Sequence, residues 1–245
     1  MKPLHDSIGG NYRQYRRPDP RIAAAITQAL GSARSVLNVG AGTGSYEPSD
    51  RRVVAVEPSS TMIRQRPAGS AAVVQASAGE LPFQDGAFTA ALGILTVHYW
   101  PDRPRGLAEV KRVAAERVVL LVRDPDHLGF WLVDDYVPQI AEVDRRNLPS
   151  MQELRDCLGA VDVVPLAVPH DCTDGFLGAY WRRPSAYLDP GVRGGLSMFS
   201  EIAHIEGSLE RLRRDLEDGT WERRYRNLLE RDELDVGYRL VVWRR

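Results

Sequence analysis

Apolar and polar positions along the chain follow two patterns. Continuous apolar runs with many β-branched residues predict strands buried on both faces, and these runs are SVLNV, RVVAVEP, AAVVQAS, AFTAALGIL and RVVLLVR. Amphipathic stretches predict helices in IAAAITQAL, RPRGLAEVKRVA and PSMQELRDCLGA. Strands without a polar face, alternating with helices, indicate a mainly parallel sheet covered on both sides. The pattern therefore predicts a doubly wound α/β fold.

The second half of the chain departs from this alternation. Residues 170–232 hold many aromatic side chains and two predicted helices, while LDVGYRLVVW reads as a last strand that returns to the sheet. We therefore predict five segments. They are an N-terminal arm and core (1–125), a helical cover segment (126–148), a core helix and strand (149–169), a helical cap over the predicted binding site (170–232) and a final core strand (233–245).

Composition limits the classes of partner. A formal net charge of −1 supplies no field that would attract nucleic acid or an anionic membrane. Cys157 and Cys172 have no metal-ligand spacing, so we expect neither a metal site nor a disulfide framework. The polar N-terminus lacks an apolar signal segment, and no stretch is long enough to cross a bilayer. We expect a cytoplasmic protein that acts on a small molecule.

The stretch VLNVGAGTGSYEP places glycines directly after a predicted buried strand. Gly40, Gly42 and Gly44 lack the Cβ atoms that would keep a ligand away from the backbone, and they permit a sharp turn. A dinucleotide-binding loop is disfavoured, because its third glycine would fall at Ser45 and a full helix should follow. Here the acidic Glu57 comes only 17 positions after Gly40, and a proline interrupts the interval.

Glu57 closes the second predicted strand, where a carboxylate could hold a ribose diol. Together VLNVGAGTG, VVAVEPSSTM, QASAGELPFQDGAFTAALGILTVHYW and RVVLLVRDP resemble the class I S-adenosylmethionine-dependent methyltransferases, in their small-molecule, ubiquinone/menaquinone-type (type 11) branch. The resemblance covers about residues 5–125. It implies a Rossmann-like, seven-stranded sheet with an antiparallel C-terminal strand, S-adenosyl-L-methionine as cofactor and S-adenosyl-L-homocysteine as product.

The resemblance also implies which positions contact the cofactor. The glycine loop would meet its methionine part, Glu57 its ribose, and later positions its adenine and the methyl-transfer side. The N-terminal arm would cover it. The implied contacts are Tyr12, Tyr15, Arg17, Gly40, Ala41, Gly42, Glu57, Pro58, Met62, Ser77, Ala78, Leu95 and Thr96.

Three features depart from the family pattern. Asn38 stands where many members carry an acid in the first strand, and Ser77 stands where an aspartate often meets the adenine amino group. The first crossover is also too short for more than one or two helical turns. These departures bear on cofactor affinity more than on the identity of the cofactor.

Two histidines follow predicted strands on the side where α/β sheets bind ligands. His98 and His170 are therefore candidate general bases, although His98 could instead hold a loop carbonyl and His170 could simply belong to the hinge into the cap. A base is optional, because methyl transfer from a sulfonium depends chiefly on alignment and exclusion of water. Asp124, after the fifth strand, is a third candidate unless it only caps a helix.

Aromatic residues in the cover segment and the cap predict an apolar or planar acceptor, because they bury large areas and keep a polar tip. The candidate acceptor contacts are Trp131, Tyr136, Phe176, Tyr180 and Trp181. Packing of the cap's own core would also require some of them.

The sequence therefore predicts transfer of a methyl group from S-adenosylmethionine to O, N or C of a small molecule. It does not determine the oligomeric state, and it leaves two alternative functions open. The first alternative is a cofactor-binding protein without transferase activity. The second is an RNA methyltransferase, which balanced charge and the lack of a separate basic module disfavour.

Overall fold

Nine strands, numbered in chain order, carry the architecture of the computed structural model, which describes residues 15–245. They are β1 (Ser35–Val39), β2 (Arg52–Val56), β3 (Ala72–Val74), β4 (Phe88–Ile94), β5 (Ala114–Arg123), β6 (Val161–Pro165), β7 (Val168–Pro169), β8 (Glu233–Leu234) and β9 (Tyr238–Arg244). Seven form one sheet in the order β3-β2-β1-β4-β5-β9-β6, and β7 and β8 form a small separate ribbon.

The sheet is mainly parallel. Strands β1 to β5 pair in parallel, whereas β9 lies antiparallel to both β5 and β6. The predicted seven-stranded sheet with an antiparallel C-terminal strand is therefore confirmed. Continuous burial of Val118–Val122 between two neighbouring strands explains why this run showed no polar face in the sequence.

Nine α-helices accompany the strands in residues 15–245. They are α1 (Pro20–Leu30), α2 (Ser60–Arg64), α3 (Arg103–Val113), α4 (Gln139–Asn147), α5 (Met151–Leu158), α6 (Pro190–Gly194), α7 (Glu206–Glu217), α8 (Thr220–Arg224) and α9 (Arg226–Leu229). Helix α1 begins where the Asp19 carboxylate accepts the Arg21 amide and ends at Gly31. None of the described helices has the length and apolar character needed to cross a membrane.

The two faces of the sheet bury different apolar clusters. Helices α3 and α5 cover one face, where Leu107 and Leu154 pack against β4 and β5. On the other face α1 packs beside the cap (residues 170–232), whose Trp181 and Tyr187 belong to the same cluster as Leu121 of β5. The cap therefore shares a hydrophobic core with the sheet and closes over one of its faces.

Candidate functional site

The carboxyl ends of β1, β2, β4 and β5 meet at one edge of the sheet, where open α/β sheets bind ligands. The glycine loop (residues 40–44) follows β1, Glu57 follows β2, and Leu95 and Thr96 follow β4. The fifth strand ends in Arg123, on the cap side of the sheet. Residues far apart in sequence are thus gathered at this edge.

Four of the five backbone amides of the glycine loop are already hydrogen-bonded within the protein. The amides of Gly40 and Ala41 donate to the Val56 carbonyl, at 2.8 and 2.9 Å, and that of Gly44 donates to Ala41 O at 2.9 Å. The Gly42 amide donates to Glu57 Oε2 at 2.8 Å. No helix starts after the loop, and residues 41–51 form turns and bends. A phosphate-binding loop instead aims its free amides and a helix N-terminus at the ligand, so a dinucleotide site is disfavoured.

Two of the glycines are required for different reasons. Gly40 has φ +70° and a Cβ there would overlap Thr96 Oγ1, so packing between the two strand ends excludes a side chain. Gly42 has φ +54°, and the nearest atom to a Cβ would be Met62 Cε at 3.4 Å. Unlike Gly40, Gly42 therefore has space for a neighbouring group beside its backbone. A ligand can approach closely there.

Glu57 and Asn38 provide acceptors beside this space, and they fit the expected cofactor. Glu57 is buried, and its other oxygen, Oε1, accepts the Ser59 amide at 2.9 Å. A carboxylate is an acceptor with two oxygens, which is the kind of group that can bind the two hydroxyls of a ribose. Asn38 donates from Nδ2 to Glu47, and among residues 15–245 its buried Oδ1 has no hydrogen-bond partner. An orphaned buried acceptor next to the loop suits the cofactor's ammonium group.

The residues expected near the adenine differ in exposure. Pro58 and Ser77 are exposed at the ends of β2 and β3, whereas Ala78 is buried. Met62 is also buried, because its side chain packs against Gly42. The structure therefore leaves Pro58 and Ser77 accessible to a ligand and places Met62 beneath the loop.

The three N-terminal residues expected to contact the cofactor differ in where they lie. Tyr12 lies outside the described residues. Tyr15 packs against Gly191 and Gly195 of the cap and lines a cavity, whereas Arg17 is exposed and does not line it. Tyr15 is thus placed at the cap side of the site, and the structure gives no support to a cofactor contact by Arg17.

A cavity of about 360 Å³ lies between the strand ends and the cap. Its wall includes Leu95 and His98 after β4, Phe176 and Leu196 from the cap, and Tyr238 at the start of β9. Burial raises the pKa of Tyr238 to about 12, so its hydroxyl stays protonated. Leu95 has φ +50°, a strained conformation for a residue with a side chain, of the kind that concentrates at functional sites. The glycine loop does not line this cavity, but Leu95 and Thr96 connect the two.

The two candidate histidines are separated. His98 lines the cavity, with its ring centroid 4.0 Å from that of Tyr99. His170 lies in the β7–β8 ribbon, where its backbone amide and its Nδ1 both contact the Asp232 carbonyl. It does not line the cavity, and neither does Asp124. This position supports a structural role for His170 and gives no support to its assignment as a base.

Of the five aromatic residues expected to contact the acceptor, the cavity wall contains Phe176 alone. Trp131, Tyr136 and Trp181 are buried in the core shared by cap and sheet. Trp131 Nε1 donates to the Trp181 carbonyl, and Trp181 Nε1 donates to the Val168 carbonyl, each at 2.8 Å. Tyr180 packs on Arg183 and Tyr187. The structure therefore places these four residues away from the cavity wall and gives no support to their assignment to the acceptor site. They hold the cap together, because side chains of this size are what its own core requires.

The charged residues of the cavity wall were not predicted. Arg123, only 6% exposed, forms an ion pair through Nη1 with Asp144 of α4, which is 3% exposed. Arg16 pairs with the buried Asp174 of the cap at 2.6 Å. Burial lowers the pKa of the Arg123 guanidinium. The sequence contained one indication of Arg123, namely a charged residue at the carboxyl end of an otherwise apolar strand.

Comparison with known proteins agrees with this geometry. A sequence profile described as a methyltransferase domain matches residues 37–122. A solved structure from Anabaena variabilis, described as a candidate methyltransferase from an antibiotic biosynthesis pathway, is 32% identical, with a TM-score of 0.83. The match covers 94% of this chain and 98% of that chain, cap included.

More distant structures share the fold. An S-adenosylmethionine-dependent methyltransferase from Thermotoga maritima is 22% identical, with a TM-score of 0.56 over 69% of this chain and 86% of that one. The [4+2]-cyclase SpnF is 15% identical, with a TM-score of 0.54 over 92% of this chain and 80% of that one. A search of curated proteins found no match. The profile match and the Anabaena variabilis relative, whose match covers nearly all of both chains, together show the family: the chain belongs to the class I S-adenosylmethionine-dependent methyltransferases of type 11, and S-adenosylmethionine is its cofactor.

Proposed function

We propose that the protein methylates a small molecule bound in the cavity between the strand ends and the cap. The observation that carries this proposal is the position of the cavity. It adjoins Leu95, next to the Thr96 that packs on the glycine loop, and the cap closes its other side. An acceptor held there lies beside the part of the site that suits the cofactor.

The size and lining of the cavity support a small acceptor. A volume of about 360 Å³ is near the lower end of the range for small-molecule sites. The wall is largely apolar, with Leu148, Phe176, Leu177, Leu196 and Met198 beside a few polar groups. Such a wall favours a compact acceptor with an apolar or planar body over a polymer.

The residues of the chain have three tasks in this reaction. Bound S-adenosylmethionine supplies a methyl carbon already activated on a sulfonium. The glycine loop, Asn38 and Glu57 would orient the cofactor, and the cap would exclude water, so that alignment contributes on the order of 7–11 kcal/mol. His98 at the cavity wall would take the proton that a hydroxyl or amine acceptor loses.

The direct test measures binding and transfer separately. Calorimetry with S-adenosylmethionine and S-adenosylhomocysteine measures binding, and mass spectrometry of a small-molecule extract incubated with enzyme and cofactor detects methylated products. We expect binding of both ligands and at least one methylated small molecule. Binding without any product would favour a cofactor-binding protein without transferase activity, and methylation of RNA alone would favour the RNA methyltransferase.

The two histidines give a matched pair for the role of the base. With the identified acceptor, His98→Asn should lower kcat by about 10²–10⁴-fold and remove the acidic limb of the pH profile. His170→Asn, which changes the same side chain in the β7–β8 ribbon, should leave kcat and the pH profile unchanged. Equal effects of the two substitutions would rule out His98 as the base, and an unaffected His98→Asn variant would indicate an acceptor that needs none.

A further inference from the structure

Tyr46 follows the glycine loop and holds a backbone conformation that favours glycine. Gly40, Gly42 and Gly44 all have positive φ angles, and Tyr46 continues this alternate series with φ +62°. For a bulky side chain this conformation is strained, and such strain persists only where the surrounding contacts impose it. The contacts of the Tyr46 side chain therefore have to outweigh the strain of its backbone.

The contacts of Tyr46 lead to the cap. Tyr46 is 5% exposed and packs in the apolar cluster that α1 and the cap share. Its hydroxyl donates to Asp174 Oδ2 at 2.8 Å and accepts the amide of Asp19, at the start of α1, at 3.3 Å. Burial and then the charge of Asp174 raise the pKa of this hydroxyl well above its usual value, so it stays a donor. A side chain next to the cofactor loop thus reaches a carboxylate of the cap.

Asp174 belongs to the part of the cap that forms the cavity proposed for the acceptor. It is 2% exposed, and its Oδ1 accepts Arg16 Nε at 2.6 Å and the Gly175 amide at 2.8 Å. Arg16 lines the cavity, and so does Phe176, two positions after Asp174. A buried carboxylate has to keep its donors, because losing one leaves part of its charge uncompensated. A displacement of Tyr46 would therefore disturb Asp174 and the cavity wall beside it.

The loop is also fixed on the side of the sheet. Glu47, next to Tyr46, accepts Asn38 Nδ2 of β1 at 3.2 Å and forms an ion pair with Arg66 at 2.8 Å. Arg66 in turn donates through Nη1 to the carbonyl of Gly42 at 3.4 Å, where the loop leaves space for a ligand. The segment from Gly42 to Glu47 is thus held at several points, so a ligand that fixes the loop also fixes Tyr46.

We propose that Tyr46 is a positioning residue that couples the cofactor loop to the cap, so that bound cofactor stabilises the acceptor cavity. This inference rests on the proposed function. The two states are a cap whose Asp174 keeps the bond from Tyr46, and a looser cap in which that bond is broken and the strain at Tyr46 is relieved. Bound cofactor favours the first state. Coupling is reciprocal, so the acceptor would tighten cofactor binding equally, and the cofactor would bind first because it completes the cavity.

Hydrogen–deuterium exchange tests this coupling without an acceptor. Exchange is measured by mass spectrometry with and without saturating S-adenosylhomocysteine, well below the unfolding transition of each variant. In wild type we expect the ligand to slow exchange of cap residues 170–200 roughly 5-fold or more, the lower end of typical couplings. In Tyr46→Phe the ligand should still slow exchange in residues 36–44, but it should change the exchange of the cap less than about 2-fold.

Tyr187→Phe is the matched control. Tyr187 is buried in the cap, and its hydroxyl donates to the Leu177 carbonyl at 2.6 Å, a bond that lies within the cap. Its loss should speed exchange of the cap without ligand, whereas the slowing by ligand should persist. A merely structural role of Tyr46 would give the same result as this control. Asp174→Asn, which weakens the Tyr46 bond from the cap side, should lose the ligand effect and serves as the second variant if Tyr46→Phe does not fold.

The outcomes separate this inference from the proposed function. Three results would overturn the coupling: no slowing of cap exchange by ligand in wild type, slowing that persists in Tyr46→Phe or in Asp174→Asn, or equal loss of slowing in Tyr187→Phe. Calorimetry on the same samples measures ligand binding. A wild-type protein that fails to bind S-adenosylhomocysteine would overturn the proposed function itself, whereas normal binding without protection of the cap would overturn only the inference.

Discussion

Glu57 gives the sharpest test of the cofactor site, because its carboxylate has both a structural and a predicted binding role. The side chain is 5% exposed, and its oxygens accept backbone amides from Gly42 and Ser59 at 2.8 and 2.9 Å. Substitution by glutamine keeps the shape and removes the charge. It also replaces one acceptor oxygen by an NH₂ group, which then faces a backbone donor.

The magnitude of each effect follows from these contacts. A hydrogen bond to a charged group contributes about 1.5–3 kcal/mol, so losing one of the two backbone bonds should lower the free energy of unfolding by about that amount. For a chain of this size that corresponds to a fall in Tm of about 3–12 °C. If the carboxylate also binds the ribose, Glu57→Gln should weaken cofactor binding by a further 1.5–3 kcal/mol or so, about 10–150-fold.

Calorimetry below the unfolding transition of the variant separates the two roles. S-adenosylhomocysteine is compared with its 2′-deoxy and 3′-deoxy analogues in wild type and in Glu57→Gln, which forms a double-mutant cycle between side chain and hydroxyl. Wild type should prefer the full ribose, and the variant should lose that preference. The control is Glu116→Gln, which changes an exposed carboxylate near the start of β5, at the end of the sheet away from Glu57. A variant with lowered Tm that still discriminates the ribose as wild type does would refute the assignment.

Three further predictions concern residues whose roles the structure separates. Gly40→Ala should lower Tm more than Gly42→Ala, because only at Gly40 would the added Cβ overlap a neighbouring side chain. Gly42→Ala should lower the free energy of unfolding by about 1–2 kcal/mol through left-handed strain, and it should weaken S-adenosylhomocysteine binding. Equal losses of Tm in the two variants would contradict this reasoning. Trp181→Ala should destabilise the protein by about 3–5 kcal/mol in thermal unfolding, and a variant with unchanged Tm but lost turnover would return Trp181 to the acceptor site. Tyr46→Phe should cost about 1–3 kcal/mol by the same measurement, because the buried hydroxyl donates to Asp174 Oδ2 at 2.8 Å; an unchanged Tm would show that this bond contributes nothing.

The sequence by itself determined the sheet and the loop. The strand SVLNV lies where the apolar run ends at Gly40, and the helix in IAAAITQAL ends at Gly31, because burial and glycine conformations act over a few neighbouring residues. The position of Glu57 at a strand end follows from the same local pattern. Resemblance to the family then added the cofactor, since the motifs that carry the resemblance lie within about the first half of the chain.

Tertiary structure decided which side chains form the cavity that we propose for the acceptor. Phe176 lines it and Trp181 does not, although both are aromatic and five positions apart, because the cap's core takes up the larger ring. Periodicity gives the face of an element on which a side chain lies, but not which distant element covers that face.

The charged groups of the cavity depended on tertiary structure for the same reason. Arg123 ends a strand and Asp144 lies on a helix, and neither pattern shows that the two meet in a buried pair. His98 and His170 each follow a strand, yet His98 after β4 lines the cavity, whereas His170 next to the β7–β8 ribbon contacts the Asp232 carbonyl. The energy of a buried charge is set by its partners in space. The sequence determined the cofactor edge of this enzyme, and packing of the cap against the sheet determined what its cavity can bind.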